Sequence, residues 1–220
     1  MAWADYFWPG TSVLRNKLGI TDPAELAKAD YELAAMRTQE IASGRAPITA
    51  SLDAAHLKSL HWWIFQDLYS FAGIYRDVPI AKGTHFAPPT NIDECLSKAT
   101  DIIRSVSWSE LDTADFADEA AKVFAWVNFA HPFREGNGRA SRAFMDAVAA
   151  NAHRWLDYSC VDPAVWNQRC AFSMPDLDDT SPQHHWLTPV FATMVRAQPR
   201  TIELPERTMR ARDTRYDLGL

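Results

Sequence analysis

His131-Pro-Phe-Arg-Glu-Gly-Asn-Gly-Arg-Ala-Ser-Arg142 decides the reading of this 220-residue chain. The stretch gathers a base, a carboxylate, two glycines and two arginines at the start of a helix. Upstream, Asp115 to Ala130 reads as an apolar helix with Phe116, Val123, Trp126, Val127 and Ala130 on or near one face. Downstream, the pattern from Ala140 to Ala152 is helical again. Between them the Gly136-Asn137-Gly138 turn leaves backbone N–H groups without intrahelical partners, beside the positive end of the following helix. Anions, phosphates above all, bind such places.

The side chains supply what the backbone cannot. Arg139 and Arg142 are three apart, hence on one helix face, where charge-assisted bonds would hold the outer phosphates of a triphosphate. Glu135 offers a hard oxygen for Mg²⁺, an ion that takes one or two protein carboxylates and completes its shell with phosphate and water. His131 is the one residue of the stretch that takes a proton near neutral pH. Phe133, apolar in a polar loop, is expected to plug the loop into the core.

The pattern His-x-Phe-x-Glu-Gly-Asn-Gly-Arg-x-x-Arg resembles the signature of the Fic domain family at every defined position. Leu57–Arg76 and Val78–Phe86 are similar to the helix and β-hairpin flap that precede that motif in family members, and Leu18–Ala42 is similar to the family's first helix. The resemblance spans roughly residues 15 to 200. It implies a mainly α fold, a single helical domain with a small β-hairpin flap over the active site. The domain is placed at residues 15–198, between an N-terminal extension at 1–14 and a polar C-terminal tail at 199–220.

Carried over by position, the resemblance implies a protein adenylyltransferase that moves AMP from ATP to a Tyr, Ser or Thr hydroxyl of a target protein and releases pyrophosphate. His131 would be the general base and Glu135 the holder of Mg²⁺ between the α- and β-phosphates. Gly136, Asn137 and Gly138 would cradle phosphate oxygens, Arg139 the β-phosphate and Arg142 the γ-phosphate. Gly138 favours AMP transfer over phosphorylation, because phosphorylating relatives carry Lys there; transfer of another phosphate-containing group stays open. A second alternative is a catalytically silent nucleotide-binding module, against which an intact His131 and Glu135 count.

Lys82, Gly83, Thr84, His85 and Phe86 form the predicted flap, which in the family pairs with the target by main-chain bonds. Asn167 and Gln168, after the motif helix, are candidates for adenine contact. Many Fic enzymes are silenced by Ser/Thr-x-x-x-Glu-Gly/Asn. Here Thr21 to Glu25 and Thr90 to Glu94 have the spacing but are followed by Leu26 and Cys95. The chain therefore resembles the toxin branch, whose inhibitory helix comes from a separate small antitoxin and whose targets are the ATPase subunits of DNA gyrase and topoisomerase IV.

Composition sets outer bounds. Hydrophobic residues are 47% of the chain, enough for one full core. A net charge of -6 argues against a surface built to coat nucleic acid. Cys95, Cys160 and Cys170 suit neither a disulfide framework nor a zinc site, which points to a reducing, cytoplasmic setting. No stretch has membrane-spanning length, and the first residues lack a secretory pattern. Helices are predicted from Asp22 to Ser43, Asp53 to Ser70, Asn91 through Ile103, Asp112 to His131, Ala140 to His153, after Asp162, and from Pro182 to Arg196. Trp62, Trp63, Trp126 and Trp155 fall in apolar patterns and are expected in the core. His56 and His61 are five apart and His184 and His185 adjacent, so neither pair suggests a metal site.

Overall fold

Four of the helices begin where an aspartate stands at the N-cap. Its carboxylate accepts orphan backbone N–H groups and sits at the positive end of the helix. In the computed structural model, which describes residues 3–176 and 179–197, Asp22 caps α1 (Pro23–Ala42) and Asp53 caps α2 (Ala54–Phe65). Asp112 caps α4 (Thr113–Ala130) and Asp162 caps α6 (Pro163–Phe172). Asn91 precedes α3 (Ile92–Ser105) without a side-chain cap bond, its amide oxygen accepting instead from the Thr90 hydroxyl.

α4 is the central element. Its buried face, including Phe116, Ala120, Val123, Phe124 and Val127, packs against α3, α5 (Asn137–Asn151) and α7 (Thr188–Met194). α3 meets it with Ile92, Leu96, Ala99 and Ile103, a stripe at helical spacing. α2 lies between α1 and α5. The flap is a short antiparallel hairpin, β1 (Ala81–Lys82) and β2 (Thr84–His85), with Ala81 opposite His85 and Lys82 opposite Thr84. A second small antiparallel sheet, which the sequence pattern did not suggest, joins β3 (Arg154–Leu156) to β4 (Val195–Ala197). No helix among the described residues is long and apolar enough to cross a membrane.

Several boundaries differ from the sequence reading. α2 stops at Phe65 rather than Ser70. The chain then leaves in turns that carry Leu68, Tyr69 and Phe71 into the core. α5 starts at Asn137 rather than Ala140, because Gly136 takes a left-handed conformation (φ 80°) and lets the next residue enter the helix directly. The helix expected over 182–196 is instead a 3₁₀ turn at His184–Trp186, then α7, then β4. Pro189 accounts for the break: it suits a first turn but not a helix interior. Trp62 and Trp155 are corrected from core to surface, at 48% and 43% exposed, and Trp63 and Trp126 are half-buried. Trp62 lies across α2 from the buried Leu60, His61, Ile64 and Phe65, and Trp155 alternates with buried Leu156 in a strand.

Residues 3–14, set apart on sequence grounds as an extension, contribute to the same core. Tyr6 and Val13 are buried, the Tyr6 hydroxyl donates to Asp77 at 2.9 Å, and the Trp8 indole donates to the Ile20 carbonyl at 2.9 Å. The expected C-terminal tail at 199–220 lies outside the described residues. Deleting residues 1–14 should therefore cost stability, at about 1.5–3 kcal/mol for each large buried side chain lost. For a chain of this size that is a fall of several degrees or more in melting temperature, roughly 2–4 °C per kcal/mol, read by calorimetry. An unchanged melting temperature would show the segment to be a passive appendage.

Candidate active site

His131 is the C-cap of α4. Its backbone is left-handed (φ 38°, ψ 59°), and its N–H donates to the Val127 carbonyl at 3.1 Å. A side chain other than glycine there costs about 1–2 kcal/mol, so something must hold it. Arg76 does so. This buried guanidinium donates from Nε to the His131 carbonyl (2.8 Å), from Nη2 to Ala130 (3.1 Å) and Ala87 (2.6 Å), and from Nη1 to Val78 (3.0 Å). The Arg76 backbone N–H donates to the Pro132 carbonyl at 2.8 Å, and the Ala87 N–H to the Phe129 carbonyl at 2.9 Å. A cation at the negative end of α4 thus ties both ends of the flap segment to the helix end that carries His131.

The imidazole of His131 stacks on Phe86 of the flap, with ring centres 3.7 Å apart and planes within 15°. Burial pushes its pKa down to about 3, with Arg76 and Lys82 adding to the effect against a hydrogen bond to the Asn128 backbone. The ring is therefore neutral at physiological pH and free to accept a proton.

The loop beyond it is fastened from two sides. Asn137 donates from Nδ2 to the Phe133 carbonyl (2.7 Å) and accepts the Phe133 N–H on Oδ1 (2.8 Å). Phe133 is fully buried and stacks on His61 at 3.7 Å. His61 accepts the Gly73 N–H on Nδ1 (2.8 Å), which leaves the proton on Nε2, and Nε2 donates to the Glu135 carbonyl (2.9 Å). Burial lowers this imidazole to about 4, so it too stays neutral. Gly136 has no substitute: a Cβ there would stand 2.2 Å from the Phe65 ring. At Gly138 a Cβ would meet nothing within 4 Å, so the missing side chain leaves open space at the start of α5.

A cleft of about 490 Å³ lies between the flap, this loop and α6. Its lining includes Lys82, Thr84 and Phe86, every residue from His131 to Gly138, and Asn167. The Glu135 carboxylate accepts the Gly136 N–H on Oε1 at 3.0 Å and lies 3.9 Å from Arg139 Nη2. An anionic oxygen thus already sits on the turn, and the carboxylate's second oxygen makes no hydrogen bond within the described residues.

The structure rearranges some expected roles. The Asn137 amide is committed to Phe133, so any bond from Asn137 to an anion comes from its backbone N–H. Arg139 and Arg142 do not line the cleft side by side. Arg139 is turned toward α1, where it pairs with Asp30 and lies 4.5 Å over Phe65; Arg142 lies over Tyr158 and Trp166 at the α6 edge. In the flap, strand alternation puts Lys82, Thr84 and Phe86 on the cleft side. Gly83 forms the tip (φ 77°), and His85 shares the opposite face with Ala81. Asn167 lines the cleft while Gln168, a third of a helical turn further round, is exposed and does not. Sequence reasoning missed His61, Arg76 and Asp30. It also missed that Arg134 packs against Trp3, Tyr6 and Phe7, with its guanidinium carbon 4.1 Å from the Trp3 ring.

The depressed pKa values of His131 and His61 have a definite consequence for stability. Unfolded imidazoles bind protons from about pH 6.5 downward, whereas these two stay neutral when folded. Their contribution is therefore complete above about pH 6.5 and is lost as pH falls toward 4 and 3, with a slope approaching about 1.4 kcal/mol per pH unit for each group. Denaturant titrations between pH 6.5 and 5 should show falling stability, and the fall should be shallower in His61→Gln. A flat profile in that window would contradict the burial of these rings.

The Fic/DOC family model matches residues 51–149. The probable protein adenylyltransferase Fic of Escherichia coli is 32% identical over 167 residues, covering 74% of this chain and 80% of the relative. Protein adenylyltransferase VbhT of Bartonella schoenbuchensis is 35% identical over 159 residues, but the chain spans only 33% of that longer protein. Among solved structures, BepC of Bartonella tribocorum with bound AMPPNP superposes with a TM-score of 0.76 at 26% identity, covering 89% of this chain and 98% of that one. The ADP-bound Fic domain of a Bartonella quintana effector gives 0.77 at 26% identity, covering 88% and 95%. With the family model matched over residues 51–149 and the Escherichia coli relative covered over 80% of its length at 32% identity, the chain belongs to the Fic/DOC family.

Proposed function

We propose that this chain is a protein adenylyltransferase that transfers AMP from ATP to a Tyr, Ser or Thr hydroxyl of another protein. The observation that carries the reading is the placement of a neutral His131, stacked under the flap, at a cleft whose floor is an uncapped helix N-terminus already taking an anionic oxygen. In the step, the hydroxyl oxygen of the target bonds to the α-phosphorus, the bond from that phosphorus to the β-phosphate oxygen breaks, and pyrophosphate leaves. The hydroxyl proton passes to His131. With the Gly136 N–H held by Glu135, the backbone N–H groups of Asn137 and Gly138 would donate to phosphate oxygens, and Arg139 would offset charge on the leaving group. Lys82, Thr84 and Phe86 would face the bound target, and Asn167, which lines the same cleft, would contact the adenine.

Glu135 fits Mg²⁺, because its carboxylate lines the cleft with one oxygen oriented by Gly136 and the other open toward the phosphates. When bound there, the ion would screen phosphate charge during transfer. We further place the chain in the toxin branch in the cytoplasm, with a small antitoxin as partner and the ATPase subunits of DNA gyrase and topoisomerase IV as targets. Three features support this: the inhibitory pattern is incomplete at both places where its spacing occurs, the three cysteines are free, and no carboxylate among the described residues pairs with Arg142. Arg142, held over Tyr158 and Trp166 and within reach of the Asp146 charge, would then take a glutamate brought from outside.

ATP labelled at the α-position should mark a protein target in lysate, while ATP labelled at the γ-position should not. His131→Ala should abolish labelling with ATP-analogue binding kept within a few-fold, since the base acts on the incoming hydroxyl. Glu135→Ala, or a chelator, should weaken nucleotide binding itself. Labelling only from the γ-position would make the chain a kinase, and binding without any label would make it a silent module.

A further inference from the structure

α1 buries Leu26, Asp30 and Ala34, a stripe at i, i+4 and i+8 that is apolar except for the carboxylate at its centre. A buried carboxylate persists only when paired and hydrogen-bonded. Asp30 is both. Its two oxygens accept from Nη1 and Nη2 of Arg139, the second at 3.3 Å, and Oδ2 also accepts the Tyr69 hydroxyl at 2.8 Å. Tyr69 is itself held, buried and stacked on Phe71 with ring centres 4.7 Å apart. Burial and the neighbouring Asp30 raise its pKa, so the hydroxyl keeps the proton it donates.

The consequence falls on Arg139. A long side chain at the start of a helix samples many rotamers, and an arginine that must meet a phosphate at a fixed place is more effective when its guanidinium is already set there. Here the end of the guanidinium fork is occupied by Asp30, its face lies 4.5 Å over Phe65, and Nη2 stands 3.9 Å from the Glu135 oxygen that sits on the Gly136 turn. Phe65 is also the ring that forbids a Cβ at Gly136, so one aromatic fixes both the turn and the arginine beside it. Nε–H and the outer Nη2 hydrogen share the edge of the guanidinium that Asp30 does not take.

We infer that Asp30, locked by Tyr69, is a positioning residue that presets Arg139 beside the phosphate-binding turn before nucleotide arrives. Asp30 lies 109 residues from Arg139 in sequence and outside the stretch matched by the family model. The inference rests on the AMP-transfer reading. On it, the chemistry depends on a carboxylate that touches neither ATP nor the target.

The test uses the full chain with Asp30→Asn and Tyr69→Phe, alone and combined with Arg139→Ala, in single-turnover AMP transfer. Asp30→Asn should slow transfer about tenfold or more, within the range that small misplacements of a positioned group produce, and Tyr69→Phe should slow it less. In the Arg139→Ala background Asp30→Asn should add no further loss, because the group it positions is gone. A full additional loss in that background, or a rate in Asp30→Asn equal to or above wild type, overturns the inference. Tyr69→Phe, which removes one oxygen, keeps the test open should Asp30→Asn fail to fold. If the wild-type chain transfers no AMP, the functional reading falls. Asp30 is then judged by ¹⁵N signals of the Arg139 guanidinium, slow to exchange with water in wild type and lost in both variants. Signals that persist in a folded variant overturn the inference independently of activity.

Discussion

A buried guanidinium whose partners are carbonyls rather than carboxylates is the constraint on which this site depends. Arg76 sits at the C-terminal end of α4, where unpaired carbonyls and the helix dipole concentrate negative potential, and it spends its side-chain donors on Val78, Ala87, Ala130 and His131. Burial lowers the pKa of the guanidinium, yet an arginine remains charged where a lysine would tend to lose its proton. The planar fork also reaches carbonyls from two chain segments at once. The left-handed His131 and the root of the flap thus share a single rivet. His131 and the flap are thereby registered to each other by construction.

The phosphate side is held by different means. His61 fixes the Glu135 carbonyl, Asn137 closes the loop on Phe133, and Phe65 shapes the turn at Gly136. None of these groups is shared with the Arg76 network. His131 and the loop turn are therefore held by different side chains, which meet through residues 131–135 and through the short segment from Gly73 to Arg76. The division accounts for the two neutral histidines having distinct tasks. His131 faces the cleft, where on the proposed reading it would accept a proton, whereas both ring nitrogens of His61 are engaged by backbone.

The motif loop and the aspartate N-caps were legible in the sequence because each is a local signal: a residue type, a spacing, a helix start. Phe133 as a core plug was legible for the same reason, and the hairpin before the motif through the resemblance that the motif carries. The start of α5 at Asn137 was hidden because Gly-Asn-Gly reads as a turn until a left-handed Gly136 is seen to act as the cap. The last helix was overextended because apolar spacing across Pro189 looks continuous. Trp62 and Trp155 misled because hydrophobicity shows that a side chain prefers burial, but not which face of its element is turned outward. His61, Arg76 and Asp30 act across 74, 55 and 109 residues. Their pairings exist only once α1, α2, α4 and α5 are packed. No periodicity in one sequence carries them.

The coupling of helix end and flap is tested most directly by hydrogen exchange in Arg76→Lys, which keeps a nitrogen donor on a similar stem but not the fork. The Ala87 and His131 amides, bonded to Phe129 and Val127, should lose protection together by about tenfold or more, the effect of losing a hydrogen bond to a charged group. The Phe133 amide, bonded to the Asn137 side chain, should exchange as in wild type. Unchanged exchange at Ala87 and His131, or loss at Phe133 to the same degree, would contradict the account.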